Sequence, residues 1–333
     1  MDDCWTSGPR NAITDIAGIR VGHATDRKGK TGCTVVLCEK ALCAAADIRG
    51  GAPGTRETNV LDPANVVRTC HAVLLAGGSA FGLAAADGVM RWLAEHDIGV
   101  ATTKRKVPIV TGAVLYELGI GDPEAHPSAD DGYAAAARAT HGRVAEGSVG
   151  VGTAATVAKL LGPERAIKGG VGTASVAGPR GLIAGAIVAT NAAGSLFDPG
   201  TGELVAGPRG ESGRFIGLPG TLARRTHKME ALLENTTLVC VATNATLDHH
   251  QAQRLAIQAH DGLARVVMPA HTFADGDSTV AIVMGGIEPT DDDALIVGAL
   301  AVHAVEQALL RSIRLAKGTK DVPSVTEWAA AGS

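Results

Sequence analysis

The chain has 333 residues, 46% of them apolar and 19% charged, with a formal net charge of −4; this is the profile of an ordinary soluble globule and gives no basic footprint for nucleic acid. Six cysteines are too sparse for a disulfide scaffold, and Cys33, Cys38 and Cys43 lack the C-x-x-C spacing of a zinc site, so packing is their expected role. The acidic start Met1-Asp2-Asp3-Cys4-Trp5 lacks the apolar core of a secretory signal and runs such as 294–302 fall short of the ~20 residues of a membrane span, so a cytoplasmic location with no membrane partner is expected.

With 43 glycines and 3% aromatic residues, small side chains let backbones approach closely, and tightly stacked layers follow. Residues 13–23 alternate in polarity before a polar turn at 26–30, and 33–37 and 44–48 read as strands. The stretch 24–31 matches a relaxed phosphate loop, but such a loop must feed a helix, and Thr34-Val35-Val36-Leu37 reads as a strand instead. Residues 50–58 are turn-rich, of the kind that either lines a site or merely connects. A short strand at 71–76 ends in Gly77-Gly78, and Ser79 is placed to cap a helix to about residue 96. A hydrolase elbow there would need Gly at Phe81.

Residues 107–116 read as an apolar loop or irregular strand carrying Tyr116, whose ring suits either a core or a pocket. After a helical stretch at 133–140, Gly150-Val151-Gly152-Thr153-Ala154-Ala155 imitates a dinucleotide fingerprint, with 156–161 as the helix behind it. It lacks the preceding strand, and no carboxylate stands near Lys168-Gly169-Gly170 where one is required. Lys159, inside that apolar stretch, needs a partner or a function if buried and otherwise faces solvent. Residues 182–190 form the strongest strand pattern, and Asn191 at its end is placed either to donate to a developing oxyanion or to cap a turn.

From 195 to 233 the composition turns to Gly, Pro and charge, as in a mobile loop. It leads into a β-branched run over 236–244, which Thr236 opens. Thr246 is expected to cap an amphipathic helix, with His249 and His250 facing water in its first turn. The loop 268–277 carries Asp275 and Asp277, a strand follows at 279–284, and Asp291-Asp292-Asp293 starts a long apolar helix to about residue 316 whose dipole it complements. Two packed sheets flanked by helices, an α/β arrangement, would bury these elements.

Thr236 stands where an exposed segment enters a buried strand, a position that holds a hydroxyl rigidly within reach. Cutting the Asn235–Thr236 bond would give it a free α-amine to serve as general base; an ordinary strand-edge threonine is the alternative.

Together with these residues, the motifs Thr31-Gly32-Cys33-Thr34-Val35, Arg49-Gly50-Gly51-Ala52-Pro53-Gly54-Thr55-Arg56-Glu57-Thr58, Gly77-Gly78-Ser79-Ala80-Phe81-Gly82-Leu83, Lys168-Gly169-Gly170-Val171-Gly172-Thr173, Asn235-Thr236-Thr237 and Asp275-Gly276-Asp277 run along nearly the whole chain. In them the chain resembles the self-cleaving aminopeptidases typified by L-aminopeptidase/D-esterase and the β-peptidyl aminopeptidases, together with the endo-type nylon-oligomer (6-aminohexanoate oligomer) hydrolases. The resemblance implies a four-layer αββα sandwich like that of N-terminal nucleophile hydrolases, with reversed strand connectivity. It implies one precursor cut into 1–235 and 236–333, associated as a homo-oligomer of two-chain protomers and acting on a small peptide or amide without metal or cofactor. It also implies Thr236 as nucleophile, Asn191 as oxyanion amide, Asp275 and Asp277 as the pair holding the nucleophile, and Lys159 and Tyr116 beside it. No carboxylate before Glu117 is placed to receive a substrate ammonium, which brings this stretch closer to the nylon-oligomer branch. An acetyl-transferring enzyme like ornithine acetyltransferase and a non-catalytic nucleotide-binding protein are the rival readings.

Overall fold

The glycine- and alanine-rich strands stack as two mixed sheets in direct contact. In the computed structural model, which describes residues 5–211, 213–225 and 235–331, the larger sheet runs in the order Thr6–Ser7, Gly170–Ala177, Ile183–Asn191, Thr236–Ala245, Ser278–Ile287, Cys43–Ile48. Only Thr236–Ala245 and Ser278–Ile287 are parallel neighbours in it. The five-stranded sheet runs Arg20–Asp26, Thr31–Leu37, Ala72–Ala76, Val110–Val114, Gly54–Arg56, with its third and fourth strands parallel.

Three apolar interfaces separate four layers. Val36, Val73 and Leu75 of the smaller sheet meet Ile187, Leu238 and Ile282 of the larger one. On the outer face of the larger sheet, Val188, Val239 and Val241 pack under Leu255, Leu263, Val305 and Leu309 of the helices His249–Val266 and Asp293–Arg314. Beyond the smaller sheet, Val35 and Leu74 pack under Val89, Leu93 and Ala135 of Ala85–Glu95 and Ala129–Ala137. The architecture is an αββα sandwich. The helix Asp293–Arg314 has the length and apolar character of a membrane span; here it is one of the two helices that cover the larger sheet. It lies directly on the sheet because Gly172 has no Cβ, and one placed there would overlap the Ala308 carbonyl.

Several local expectations give way to the structure. Residues 107–116 hold a regular strand, Val110–Val114, because parallel pairing to Ala72–Ala76 outweighs a weak alternation. The turn-rich 50–58 stretch contains the edge strand Gly54–Arg56. Ser79 does not cap: it sits at φ 53° inside a 3₁₀ turn, Ser79–Ala84, that precedes Ala85–Glu95. Residues 156–161 are not helical; Thr156–Val157 pairs instead with Ile167–Lys168, and Lys159 follows in irregular chain. Asp248, not Thr246, caps His249–Val266 through the Gln251 N–H, and His249 is buried, with Nε2 3.0 Å from the Ala44 and Leu61 carbonyls. The 195–233 stretch includes short strands Ser195–Phe197 and Leu204–Ala206 and the helix Leu218–Ala223, while 226–234 lie outside the described residues. The described cysteines Cys33, Cys38, Cys43, Cys70 and Cys240 are buried free thiols.

Candidate active site

Antiparallel pairing of Ile183–Asn191 with Thr236–Ala245 sets the last residue of one strand opposite the first of the other, so Asn191 and Thr236 are ladder partners. Thr236 is 4% exposed, and its hydroxyl donates to the carbonyl of Asn235. The same carbonyl accepts from Gly276 N–H at 2.9 Å. A short parallel bridge between Asn235 and Asp275 delivers Gly276 to this point. Only glycine fits there, since a Cβ would stand 2.7 Å from Thr236 Oγ1 and 3.0 Å from the Ala52 carbonyl.

The turn-rich loop after Cys43–Ile48 clamps the 272–277 segment. Arg49 and Gly50 N–H donate to the Asp277 carbonyl at 3.0 and 3.2 Å, Gly51 N–H to Thr272 at 3.2 Å and Ala52 N–H to Asp275 at 2.8 Å. Side chains at Gly50 or Gly51 would overlap the backbone of that segment. Both carboxylates are consequently buried, but neither hydrogen-bonds the Thr236 hydroxyl in the uncut chain. Asp277 Oδ1 accepts from Thr237 N–H at 2.7 Å, and Oδ2 lies 2.9 Å from both the backbone N and the Nδ1 of His271. Asp275 Oδ2 accepts from the backbone N–H and hydroxyl of Thr272. Burial, and then the charge of Asp277, push the Asp275 carboxyl up to about 6, against the opposing hydrogen bonds from Thr272 and the charge of Lys159. The pair therefore shapes the loop and strand around Thr236 rather than gripping its hydroxyl.

Asn191 is fully buried, with Oδ1 accepting Thr156 N–H at 2.9 Å and Nδ2 donating to the Tyr116 carbonyl at 2.7 Å. Lys159 Nζ donates to the Asn191 carbonyl at 3.0 Å. Every residue singled out from the sequence, Thr236, Asn235, Asn191, Lys159, Tyr116, Asp275 and Asp277, thus belongs to one connected constellation, Tyr116 entering through its backbone. Gly276, His271 and Thr272 escaped the sequence reading, because their importance lies in contacts that no periodicity signals. Of these, only Gly276 stood in a quoted motif.

With this geometry in view, comparison with known proteins is decisive. The model of peptidase family S58 matches residues 11–325. The chain belongs to peptidase family S58. Within S58 it is 41% identical over 345 residues, 94% of this chain and 96% of the other, to an uncharacterized aminopeptidase of Mycobacterium bovis. It is also 27% identical over 320 residues, 92% of this chain and 84% of the other, to a 6-aminohexanoate-oligomer endohydrolase of Kocuria. The L-aminopeptidase D-Ala-esterase/amidase of Ochrobactrum anthropi, described as a new variant of the Ntn-hydrolase fold, superposes with TM-score 0.74 at 23% identity, covering 98% of this chain and 94% of that one. The S58 chain thus has the Ntn-hydrolase-like fold that its motifs imply, in a family of peptide and amide hydrolases.

Proposed function

We propose that this protein is a self-processing N-terminal-threonine amidase. The observation that carries the reading is the Asn235 carbonyl, which receives the Thr236 hydroxyl on one side and Gly276 N–H on the other. Attack of Oγ1 on the Asn235 carbonyl carbon forms the C–O bond. The negative charge develops on an oxygen that already has a backbone donor, which lowers the barrier to its formation. The C–N bond then breaks, the proton passes to the Thr236 nitrogen, and water hydrolyses the resulting ester to leave a carboxylate at Asn235 and an α-amine at Thr236.

In the processed enzyme the amine serves as the base for the same hydroxyl, and the substrate acyl group takes the place of Asn235. The side-chain amide of Asn191 supplies the donor to the acyl oxygen, and Lys159 holds the Asn191 backbone. Substrate is a small peptide or linear amide. Glu117 is 5% exposed and its oxygens accept from Thr31 Oγ1 and Gly78 N–H, both at 2.6 Å; it is thereby spent inside the protein, which favours an ω-amino-acid oligomer or other internal amide over strict removal of N-terminal residues. Intact mass and N-terminal sequencing test the reading: a fragment beginning Thr-Thr-Leu-Val is expected from the wild type and none from Thr236→Ala. A first residue other than Thr236, or no cut after prolonged incubation, overturns it.

A further inference from the structure

We propose that Lys168 and Glu117 are a pair of positioning residues that hold the Asn191 side-chain amide from both ends, one through the 152–156 turn and the other through the Tyr116 carbonyl. This rests on the reading of Asn191 as the donor to the acyl oxygen.

Lys168 is completely buried. Its three N–H bonds go to three backbone carbonyls, Gly152 at 2.9 Å, Ala155 at 2.8 Å and Gly169 at 2.7 Å. The residue after Ala155 is Thr156, whose N–H donates to Asn191 Oδ1. Gathering the Gly152 and Ala155 carbonyls fixes the curvature of the turn and, with the Gly169 carbonyl, ties it to the strand beside it, and with that the direction of the donor. On the opposite side, Asn191 Nδ2 donates to the Tyr116 carbonyl, and the next residue is Glu117. Its carboxylate binds Gly78 N–H and the Thr31 hydroxyl, and the backbone wraps it so closely that a Cβ at Gly77 would run into Oε1.

The two charges sustain one another. Burial lowers the Lys168 ammonium to about 7, the charge of Glu117 opposes that fall and the nearby Lys30 adds to it. Burial likewise raises the Glu117 carboxyl, against the Thr31 and Gly78 hydrogen bonds and the charge of Lys168. Their hydrogen bonds are spent on these neighbours, so the attraction acts through space. A methionine of similar volume would avoid the desolvation penalty of a buried ammonium, but it could not collect three carbonyls. Burying this cation therefore yields the shape of the turn that carries Thr156.

The test is a coupling measurement on matured enzyme with a chromogenic amide. Lys168→Met and Glu117→Gln are each made alone and in the Asn191→Ala background, and kcat, KM and melting temperature are recorded. Glu117→Gln keeps the volume and, with the Thr31 hydroxyl reversed to accept, the local hydrogen bonds. It removes the negative charge that opposes deprotonation of buried Lys168, so the third N–H donor to the carbonyls is lost; it therefore carries the test if Lys168→Met does not fold. Expected is a fall in kcat of about 10- to 100-fold for each single variant, with KM within threefold, and less than threefold further loss in the Asn191→Ala background. Wild-type kcat in both single variants, full additive losses on top of Asn191→Ala, or failure of both to give folded, matured enzyme overturns the proposal. If Asn191→Ala itself retains wild-type kcat, the underlying role of Asn191 fails first, and the two failures are told apart.

Discussion

Gly276 shows what one missing side chain would do for the proposed self-cleavage. The 2.7 Å that would separate its Cβ from Thr236 Oγ1 is below van der Waals contact, so Gly276→Ala must displace either the hydroxyl or the N–H that meets the Asn235 carbonyl. We expect the half-time of self-cleavage to lengthen at least about tenfold, toward the loss typical of a removed oxyanion donor. A mass time course checks this, and maturation at the wild-type rate counts against the arrangement. Asp275 gives a second test at this scale. A buried carboxyl raised to about 6 binds its proton more tightly folded than unfolded, where the reference value is about 3.9. Its contribution to stability is therefore present below that reference and falls as pH rises through the window from about 4 to about 6. In uncut Thr236→Ala protein, adding Asp275→Asn should improve relative stability on going from pH 4 to pH 7, by on the order of 2 kcal/mol. Urea midpoints at the two pH values measure it, and a pH-independent difference contradicts the assignment.

Between elements, the decisive contact is the seat of Asp293–Arg314 on Gly170–Ala177. The overlap a Cβ at Gly172 would make with the Ala308 carbonyl, together with Thr190 Oγ1 at 2.7 Å from Ser312 Oγ, fixes the helix height above the sheet. Gly172→Val should push the helix outward at a cost of about 1–3 kcal/mol, the usual penalty of overpacking, seen as a lower melting temperature in the uncut Thr236→Ala background. An unchanged melt would mean that the layer yields freely. This contact also shows the limit of reading elements from pattern. Apolar residues nearly all round Asp293–Arg314 announced its burial, while residues 107–116 read only as an apolar loop or irregular strand, since the parallel pairing that makes Val110–Val114 regular comes from another segment.

For the whole molecule, the position of Thr236–Ala245 bears on the proposed processing. That strand lies between Ile183–Asn191 on one side of the proposed cut and Ser278–Ile287 on the other, so the two fragments would share a sheet and the core beneath it. Fragments 1–235 and 236–333 should co-elute under native conditions and separate only in denaturant; separate native elution would contradict this topology. The sequence by itself determined that two packed sheets lie between helices, because small residues and two-sided apolar strands must be buried between layers, and the resemblance carried by its motifs added the four-layer αββα order. It also marked Thr236, Asn191, Lys159 and the two aspartates, through ordered motifs joined to chemistry that each side chain can perform. Only the tertiary structure decided how those groups meet. It turned the carboxylates toward Thr237, His271 and Thr272, enclosed Glu117 and Lys168, and set Gly276 against the Asn235 carbonyl. The contacts of Asp277 with Thr237, of Gly276 with Asn235 and of Glu117 with Thr31 join segments far apart in the chain, fixed by sheet register and backbone approach, and those to His271 and Thr272 depend on the turn that the clamped loop imposes; neither is written in local sequence.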